Sequence, residues 1–481
     1  MIKINSELKM PLYQQIYEQI KAKIIAGTYE EGMRLTSTRE LARDLCVGRN
    51  TVENAYGQLC LEGYMASRPG SGFVVLNVID DLLPLSLKTP AREISDLPTG
   101  FVPSGKKADR SSHNLFTEYK YDFHYGSLDH TFFPYSLWRR LTTEALSSFE
   151  SQNVNYYNDK QGELCLRIEI MNYLRESRGV RCTPDQIVLC CGTQYALDLI
   201  CALFPVGNRT VAMEEPGYSG VRIVFEKNNY EIKPIPIGPD GMDISKLKKS
   251  SARLTYITPS HQFPTGVVMP IQYRAQLLQW AAQRDGVIIE DDYDSEYRYH
   301  SRPIPSLQSI DNHGRVIYLG TFSKSLAPGL RMSYMVLPEW LLDQYRSVFE
   351  GYHSTVPWIE QKAMSLFMAG GHWEKHLRKV CLKSNKKHEI LLHEIRRQMG
   401  DKVRIHSHNA GLHILLEFLN GEHQERLIEQ AKEHQVRVYP TLQFWYTKEC
   451  CRKNFVLMGF SKLTEEEIVD GIALLNKAWF D

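Results

Sequence analysis

Val316-Ile317-Tyr318-Leu319-Gly320-Thr321-Phe322-Ser323-Lys324 is an apolar run that ends in a glycine, hydroxyls and a lysine, with Arg331 seven residues further on. An unbroken apolar run of this length, closed by turn residues, suits a strand buried on both faces. Three other stretches repeat the pattern. Val287-Ile288-Ile289 leads into Glu290-Asp291-Asp292-Tyr293, Ile187 to Cys191 leads into Gly192-Thr193-Gln194 at a helix start, and Leu254-Thr255-Tyr256-Ile257 leads into the segment Thr258 to Gly266. From Tyr119 onward such runs alternate with helical stretches, which indicates an α/β sheet covered by helices. The carboxyl ends of strands in an open α/β sheet share one crevice, so the four motifs are expected to converge.

What converges there matches the needs of pyridoxal 5'-phosphate (PLP): a lysine for a Schiff base, a carboxylate for the pyridinium nitrogen, a donor to the ring O3′, and a cationic, hydroxyl-bearing phosphate cup. Lys324 is the expected catalytic amine, Asp291 the pyridinium partner and Tyr293 the O3′ donor. Gly192, Thr193 and Gln194 open a helix whose free N–H groups suit a phosphate, with Thr321, Ser323 and a forked Arg331 beside it. Tyr218, in Glu215-Pro216-Gly217-Tyr218 after the strand Val211 to Glu214, is placed to cover the ring face. The acidic run is not a calcium loop. Counting to the twelfth position from Glu290, Asp291 or Asp292 reaches Ser301, Arg302 or Pro303, where a bidentate Glu is required.

Upstream, the pattern changes. Leu12, Ile16, Ile20 and Ile24 recur every fourth residue and predict one amphipathic helix ended by Gly27. Ser37-Thr38-Arg39-Glu40 is a capping-box sequence opening a second helix, Val47-Gly48 is the expected turn, and a third helix runs from about Arg49 with Val52, Tyr56 and Leu59 inward. Tyr64 to Ser67, Arg68-Pro69-Gly70-Ser71-Gly72 and Phe73 to Val75 then read as strand, turn and strand, completing a winged helix-turn-helix over residues 1–76. Arg34, Ser37, Thr38 and Arg39 cluster at a helix N-terminus that suits a DNA phosphate, Arg49, Asn50 and Thr51 open the helix expected in the major groove, and Arg68 and Gly70 lie in the wing. Residues 77–118 carry Pro84, Pro90, Pro98 and Pro103 without periodicity and read as a linker. Residues 119–481 form the large domain, with a small C-terminal α+β part from about 357 that holds a helix around 372–399 and strands at Gly411 to Phe418, Val436 to Tyr439 and Phe455 to Phe460.

Composition narrows the class. A chain of 481 residues with 43% hydrophobic and 23% charged residues is long for one domain and unlike a fibrous or disordered chain. Lys+Arg 57 against Asp+Glu 56 leaves +1, so any contact with DNA must be local. Residues 1–76 hold 9 Lys/Arg and 8 Asp/Glu, yet 34–51 concentrate Arg34, Arg39, Arg43 and Arg49 against Glu40 and Asp44. No leader or membrane span is evident at MIKINSELKM or along Ile187 to Phe204, and the ten cysteines lack metal-ligand spacing, so a cytoplasmic, reduced chain without a metal or membrane partner is expected.

Gly32-Met33-Arg34-Leu35-Thr36-Ser37-Thr38-Arg39-Glu40-Leu41-Ala42, Arg49 to Val52 and Glu62-Gly63-Tyr64 resemble the GntR-type winged helix, which usually has Pro at Thr36 and Ser at Gly48. Residues from about 119 resemble fold-type I aminotransferases. Nearly the whole chain resembles the MocR/GabR subfamily of GntR regulators through Tyr121-Asp122-Phe123, Phe133-Pro134, Trp138-Arg139-Arg140, Tyr157, Leu166-Arg167 and Thr258 to Gly266. The resemblance implies a PLP-dependent transcriptional regulator that binds operator DNA as a homodimer, with Tyr156-Tyr157 reaching the partner's cofactor and an amine or amino-acid effector forming an external aldimine in place of Lys324. An aminotransferase carrying a DNA-binding module, and a sensor of PLP itself, remain as alternatives. Working aminotransferases carry Asn where Phe263 stands and clamp the substrate carboxylate with an Arg where Leu457 stands, and the subfamily often has Arg at His124. The effector is therefore expected either to be held through Arg222, with Arg437 a poorer candidate, or to lack a carboxylate.

Overall fold

The computed structural model describes residues 2, 4, 10–68, 72–76, 119–147, 156–204, 207, 209–299, 304–407 and 410–481. The proposed linker, Gly70 and the side chain of Arg68 lie outside the described residues. None of the described helices is long and apolar enough to cross a membrane.

In the N-terminal part, α1 (Leu12–Ile25), α2 (Thr38–Asp44) and α3 (Arg49–Leu61) are followed by the antiparallel pair β1 (Met65–Arg68) and β2 (Gly72–Val75). Ile16, Ile20 and Ile24 from α1 meet Val52, Tyr56 and Leu59 from α3 in one core, so the fourth-residue spacing selects the buried stripe from Ile16 onward, while Leu12, in the first turn, is exposed. Ser37 caps α2 by accepting the Glu40 N–H at 3.2 Å, while its hydroxyl donates to the Glu40 carboxylate at 2.9 Å. The turn before α3 differs from the expected one. Cys46 takes the left-handed conformation (φ 52), and Gly48 is the extended N-cap residue.

The winged helix is docked on the large domain. The Ile271 N–H donates to Glu62 O at 2.8 Å, the Gln272 amide donates to Gly63 O at 2.6 Å, and Ile271 and Ile310 join the winged-helix core. Gly63 is required there because it has φ 80 and because a Cβ would lie 2.9 Å from that of Pro270.

The large domain is built on an eight-stranded sheet. After β3 (Tyr121–Asp122) come β4 (Ile187–Cys190), β5 (Thr210–Glu215), β6 (Glu231–Gly238), β7 (Gly241–Met242), β8 (Leu254–Ile257), β9 (Val287–Asp292), β10 (Val316–Thr321) and β11 (Ser333–Val336), in the order β4-β11-β10-β9-β8-β5-β6-β7. Pairing is parallel from β10 through β9, β8 and β5 to β6, and β11 runs antiparallel between β10 and β4. Side chains alternate between two buried faces. Val287, Ile289, Ile317 and Leu319 enter one core, Ile288 and Val316 a second, and Ile187, Leu189 and Tyr318 a third. Two-sided burial is why these strands are continuous apolar runs rather than alternating ones.

At the C-terminal end, β12 (Val403–His406), β13 (His413–Phe418), β15 (Tyr439–Pro440) and β16 (Phe455–Gly459) form a four-stranded antiparallel sheet beside the helices His372–Met399 and Glu465–Phe480. β14 (Val436–Arg437) pairs in parallel with β3, so the start of the large domain is woven into its C-terminal part.

Candidate functional site

The four motifs meet at one cavity of about 330 Å³, at the carboxyl ends of β8, β9 and β10. Lys324, Asp291, Tyr293, Thr193, Gln194, Tyr218, Thr321, Ser323 and Arg331 all line it. Most of them sit at a strand end or just beyond one, where the chain leaves the sheet and exposes polar groups toward the crevice, and Arg331 enters from the turn before β11.

Lys324 is held by its surroundings at both ends. Its Nζ donates to Tyr125 O at 3.1 Å, and its own carbonyl accepts from the Tyr297 hydroxyl at 2.8 Å. Burial lowers its pKa, against the pull of Asp294 and Asp291. A lowered pKa favours the neutral, nucleophilic amine. Asp291 is buried and pushed up to about 7 by desolvation, with Asp292 and Asp294 adding like charge. Tyr256 donates to its Oδ2 at 2.5 Å, whereas its Oδ1 has no hydrogen-bond partner among the described residues. A buried carboxylate oxygen without a donor is costly, and a cationic ring N–H is the group that relieves it.

The anion end is shaped by Gly192. It has φ 104, and a Cβ there would lie 2.2 Å from the Arg331 Nη2, so no other residue lets the guanidinium sit against the start of the helix Thr193–Ala202. Arg331 itself is left-handed (φ 49) and donates to Cys191 O at 3.3 Å. The helix N-terminus, the Thr321 and Ser323 hydroxyls and the guanidinium make a seat for a phosphate. Orphan carboxylate, buried amine and phosphate seat together fit PLP.

Tyr293 places its hydroxyl 3.1 Å from His261 Nδ1, which also lies 2.8 Å from Asp294 Oδ2. Phe263 contacts the rings of Tyr125, Tyr218, Tyr293, His413 and Phe444, so the position where an aminotransferase keeps an amide is part of an aromatic wall. Sequence reasoning gave no role to Tyr125, Tyr256, Asp294 or His413, all of which line the cavity. Tyr256 was detectable only as one of two hydroxyl-bearing residues in a short buried strand, and His413 and Tyr125 come from the C-terminal part and the segment after β3.

One expected effector contact lies elsewhere. Arg222 donates to Trp445 O and Phe444 O, both at 3.1 Å, stacks over Tyr446 and is not among the residues lining the cavity. Tyr157 is 82% exposed and stacks on His353. Arg437 stacks over Tyr119 and Tyr439.

On the winged helix, Arg34, Arg39, Arg49 and Asn50 are exposed, Thr51 is half-buried, and Thr38 is buried at the helix start. Arg49 pairs with Glu53 at 2.7 Å on the surface, a contact weak enough to be exchanged for a phosphate or base.

Burial also pushes Glu214 and Glu290 up to about 7. Unfolded carboxylates release their protons near about pH 4, whereas these and Asp291 hold theirs until about pH 7 in the folded chain. The folded state therefore binds more protons between these limits, and stability is full below the window and lost as pH rises through it. The denaturant midpoint of cofactor-free protein is expected to be lower at about pH 7.5 than at about pH 5.5. Cofactor loading should flatten the dependence, since a cation beside Asp291 favours the carboxylate. An unchanged midpoint would show these carboxyls to be ionised in the fold.

Residues 128–450 match the aminotransferase class I and II family, and residues 12–75 match the bacterial regulatory proteins of the gntR family. The chain is 39% identical to the uncharacterized HTH-type transcriptional regulator YdeL of Bacillus subtilis, over 99% of this chain and 98% of YdeL. It is 31% identical to the probable rhizopine catabolism regulatory protein MocR of Rhizobium meliloti, covering all of this chain and 96% of MocR. Among solved structures, Pyrococcus horikoshii kynurenine aminotransferase superposes with a TM-score of 0.68 at 26% identity, over 76% of this chain and 91% of that one. LysN of Thermus thermophilus, solved with N-(5'-phosphopyridoxyl)-L-leucine, has a TM-score of 0.66 at 27% identity over 74% and 91%. With a gntR-type winged helix, a class I and II aminotransferase sheet and full-length relatives of the same build, the chain belongs to the MocR/GabR type of HTH regulators.

Proposed function

We propose that this protein is a PLP-holding transcriptional regulator that binds operator DNA through α2 and α3 and changes its grip when a small amine enters the cavity. The observation that carries the reading is the orphan Oδ1 of buried Asp291 in the same cavity as the buried Lys324 amine, on a chain whose winged helix presents exposed arginines. PLP bound here supplies an aldehyde carbon that amines attack reversibly. Asp291 would accept its ring N–H, Tyr293 would serve the ring oxygen, Thr193, Thr321 and Arg331 would hold the phosphate, and Tyr218 would cover the ring. Phe263 offers no amide to the ring oxygen, which favours regulation over rapid turnover. Two copies are expected to act together, with exposed Tyr156 and Tyr157 directed at the partner's cofactor.

Operator binding tests the reading. Arg39→Ala and Arg49→Ala should each weaken binding while the cofactor's absorbance stays unchanged, because both residues are exposed on the winged helix and neither lines the cavity. Loss of a phosphate contact should flatten the salt dependence by about one unit of slope, and loss of a bidentate base contact should cost about 1–3 kcal/mol. Unaltered affinity in both variants would remove the DNA-reading role of this face.

A further inference from the structure

We propose that the effector is a primary amine without an α-carboxylate, its substituent lodged against the aromatic wall built on Phe263. The inference rests on the reading above, in which an amine exchanges with Lys324, and it deepens that reading by naming the class. The exchange would conserve electrons and protons: the effector nitrogen forms its double bond to the cofactor's aldehyde-derived carbon as the double bond to Lys324 Nζ breaks, and the two protons shed by the effector ammonium both end on Nζ, which leaves as an ammonium.

A carboxylate entering with the amine would need a cation. Leu457 stands where an aminotransferase has its carboxylate-clamping arginine, and it is 0% exposed, packed with Phe263, Leu415, Tyr439, Phe444 and Phe455. Arg222 directs its two Nη groups at the carbonyls of Phe444 and Trp445. Among the described residues lining the cavity, the cations are Lys324, which the effector displaces, and Arg331, which sits against Gly192 at the phosphate seat.

The neutral groups are equally unsuited. His413 Nε2 lies 3.2 Å from the Pro264 carbonyl and must donate to it, and burial holds the ring neutral, so Nδ1 presents a lone pair to whatever lies beside it. His124 Nδ1 accepts the Gly126 N–H at 3.1 Å, and burial lowers its pKa, leaving one neutral donor at Nε2. Asp294, set against His261, adds a further acceptor to the lining, and Asp291 is committed to the ring nitrogen. A carboxylate would thus exchange water for aromatic faces and lone pairs, whereas an apolar or hydroxyl-bearing substituent meets a compatible wall.

The test uses full-length, PLP-loaded protein and matched probes that differ only in the carboxylate: 2-phenylethylamine against phenylalanine, and 3-methylbutylamine against leucine. Each is titrated while the cofactor's visible absorbance and operator affinity are followed. The amine of at least one pair is expected to act at concentrations roughly tenfold to a hundredfold below its amino acid, the value of one charge-assisted contact. Leu457→Arg should narrow or reverse that ratio, and the comparison in unaltered protein stands even if this variant fails to fold. Amino acids acting at equal or lower concentration, or no response to any amine by protein that shows the cofactor's absorbance, would overturn the proposal. Protein that acquires no such absorbance would instead overturn the reading on which it rests.

Discussion

Lys324→Ala protein loaded with PLP is expected to lose all covalently held cofactor: borohydride reduction should leave none on the chain, and the visible absorbance of the unaltered protein should vanish. The alanine has no nitrogen to condense with the aldehyde, and no other lysine lines the cavity among the described residues. The fold should survive, because the Tyr297 hydroxyl holds the backbone carbonyl of this residue and that contact is retained in the variant. What is lost is the Nζ contact to Tyr125 O. Covalent cofactor retained after reduction would assign the amine to another residue.

Gly192→Ala should weaken PLP binding roughly tenfold to a hundredfold, measured by titrating cofactor-free protein through its fluorescence. The new Cβ would stand 2.2 Å from Arg331 Nη2, so the guanidinium must leave the phosphate seat. The left-handed backbone (φ 104) adds strain of about 1–2 kcal/mol that only glycine escapes. Arg331→Ala separates the two effects, since it removes the same charge-assisted contact without touching the backbone. If Arg331→Ala binds PLP as tightly as the unaltered protein, the phosphate lies elsewhere.

Much of the molecule was legible because local sequence and long-range structure agreed. The spacing of Ile16, Ile20 and Ile24 described a helix face, and the unbroken runs of β9 and β10 described strands buried on both sides. The cavity residues could be picked out because each follows a strand within a short motif. Other contributors had no such address. Tyr256 reaches Asp291 only because β8 lies beside β9, and His413 arrives on β13. The pairing of β3 with β14 joins segments more than three hundred residues apart in the chain, which no periodicity reports. Arg222 illustrates the opposite difficulty: spacing after Tyr218 put a cation near the site, but two backbone carbonyls that sequence could not supply had a better claim on it.

The seam at Gly63 and Ile271 bears on how such chains can be recombined. Pro270, Ile271 and Gln272 come shortly after the segment from Thr258 whose Thr258 and Phe263 face the cavity, and they hold Glu62 and Gly63 at the end of α3. The DNA-reading head is therefore not a bead on a string. A chimera made by cutting within residues 77–118 and attaching a head from a distant relative would bring a foreign last turn to this seam. Any side chain at the position of Gly63 would jam against Pro270 and leave Ile271 and Ile310 facing water. Exchange of heads between chains of this kind demands that three seam residues of the other domain be exchanged with them.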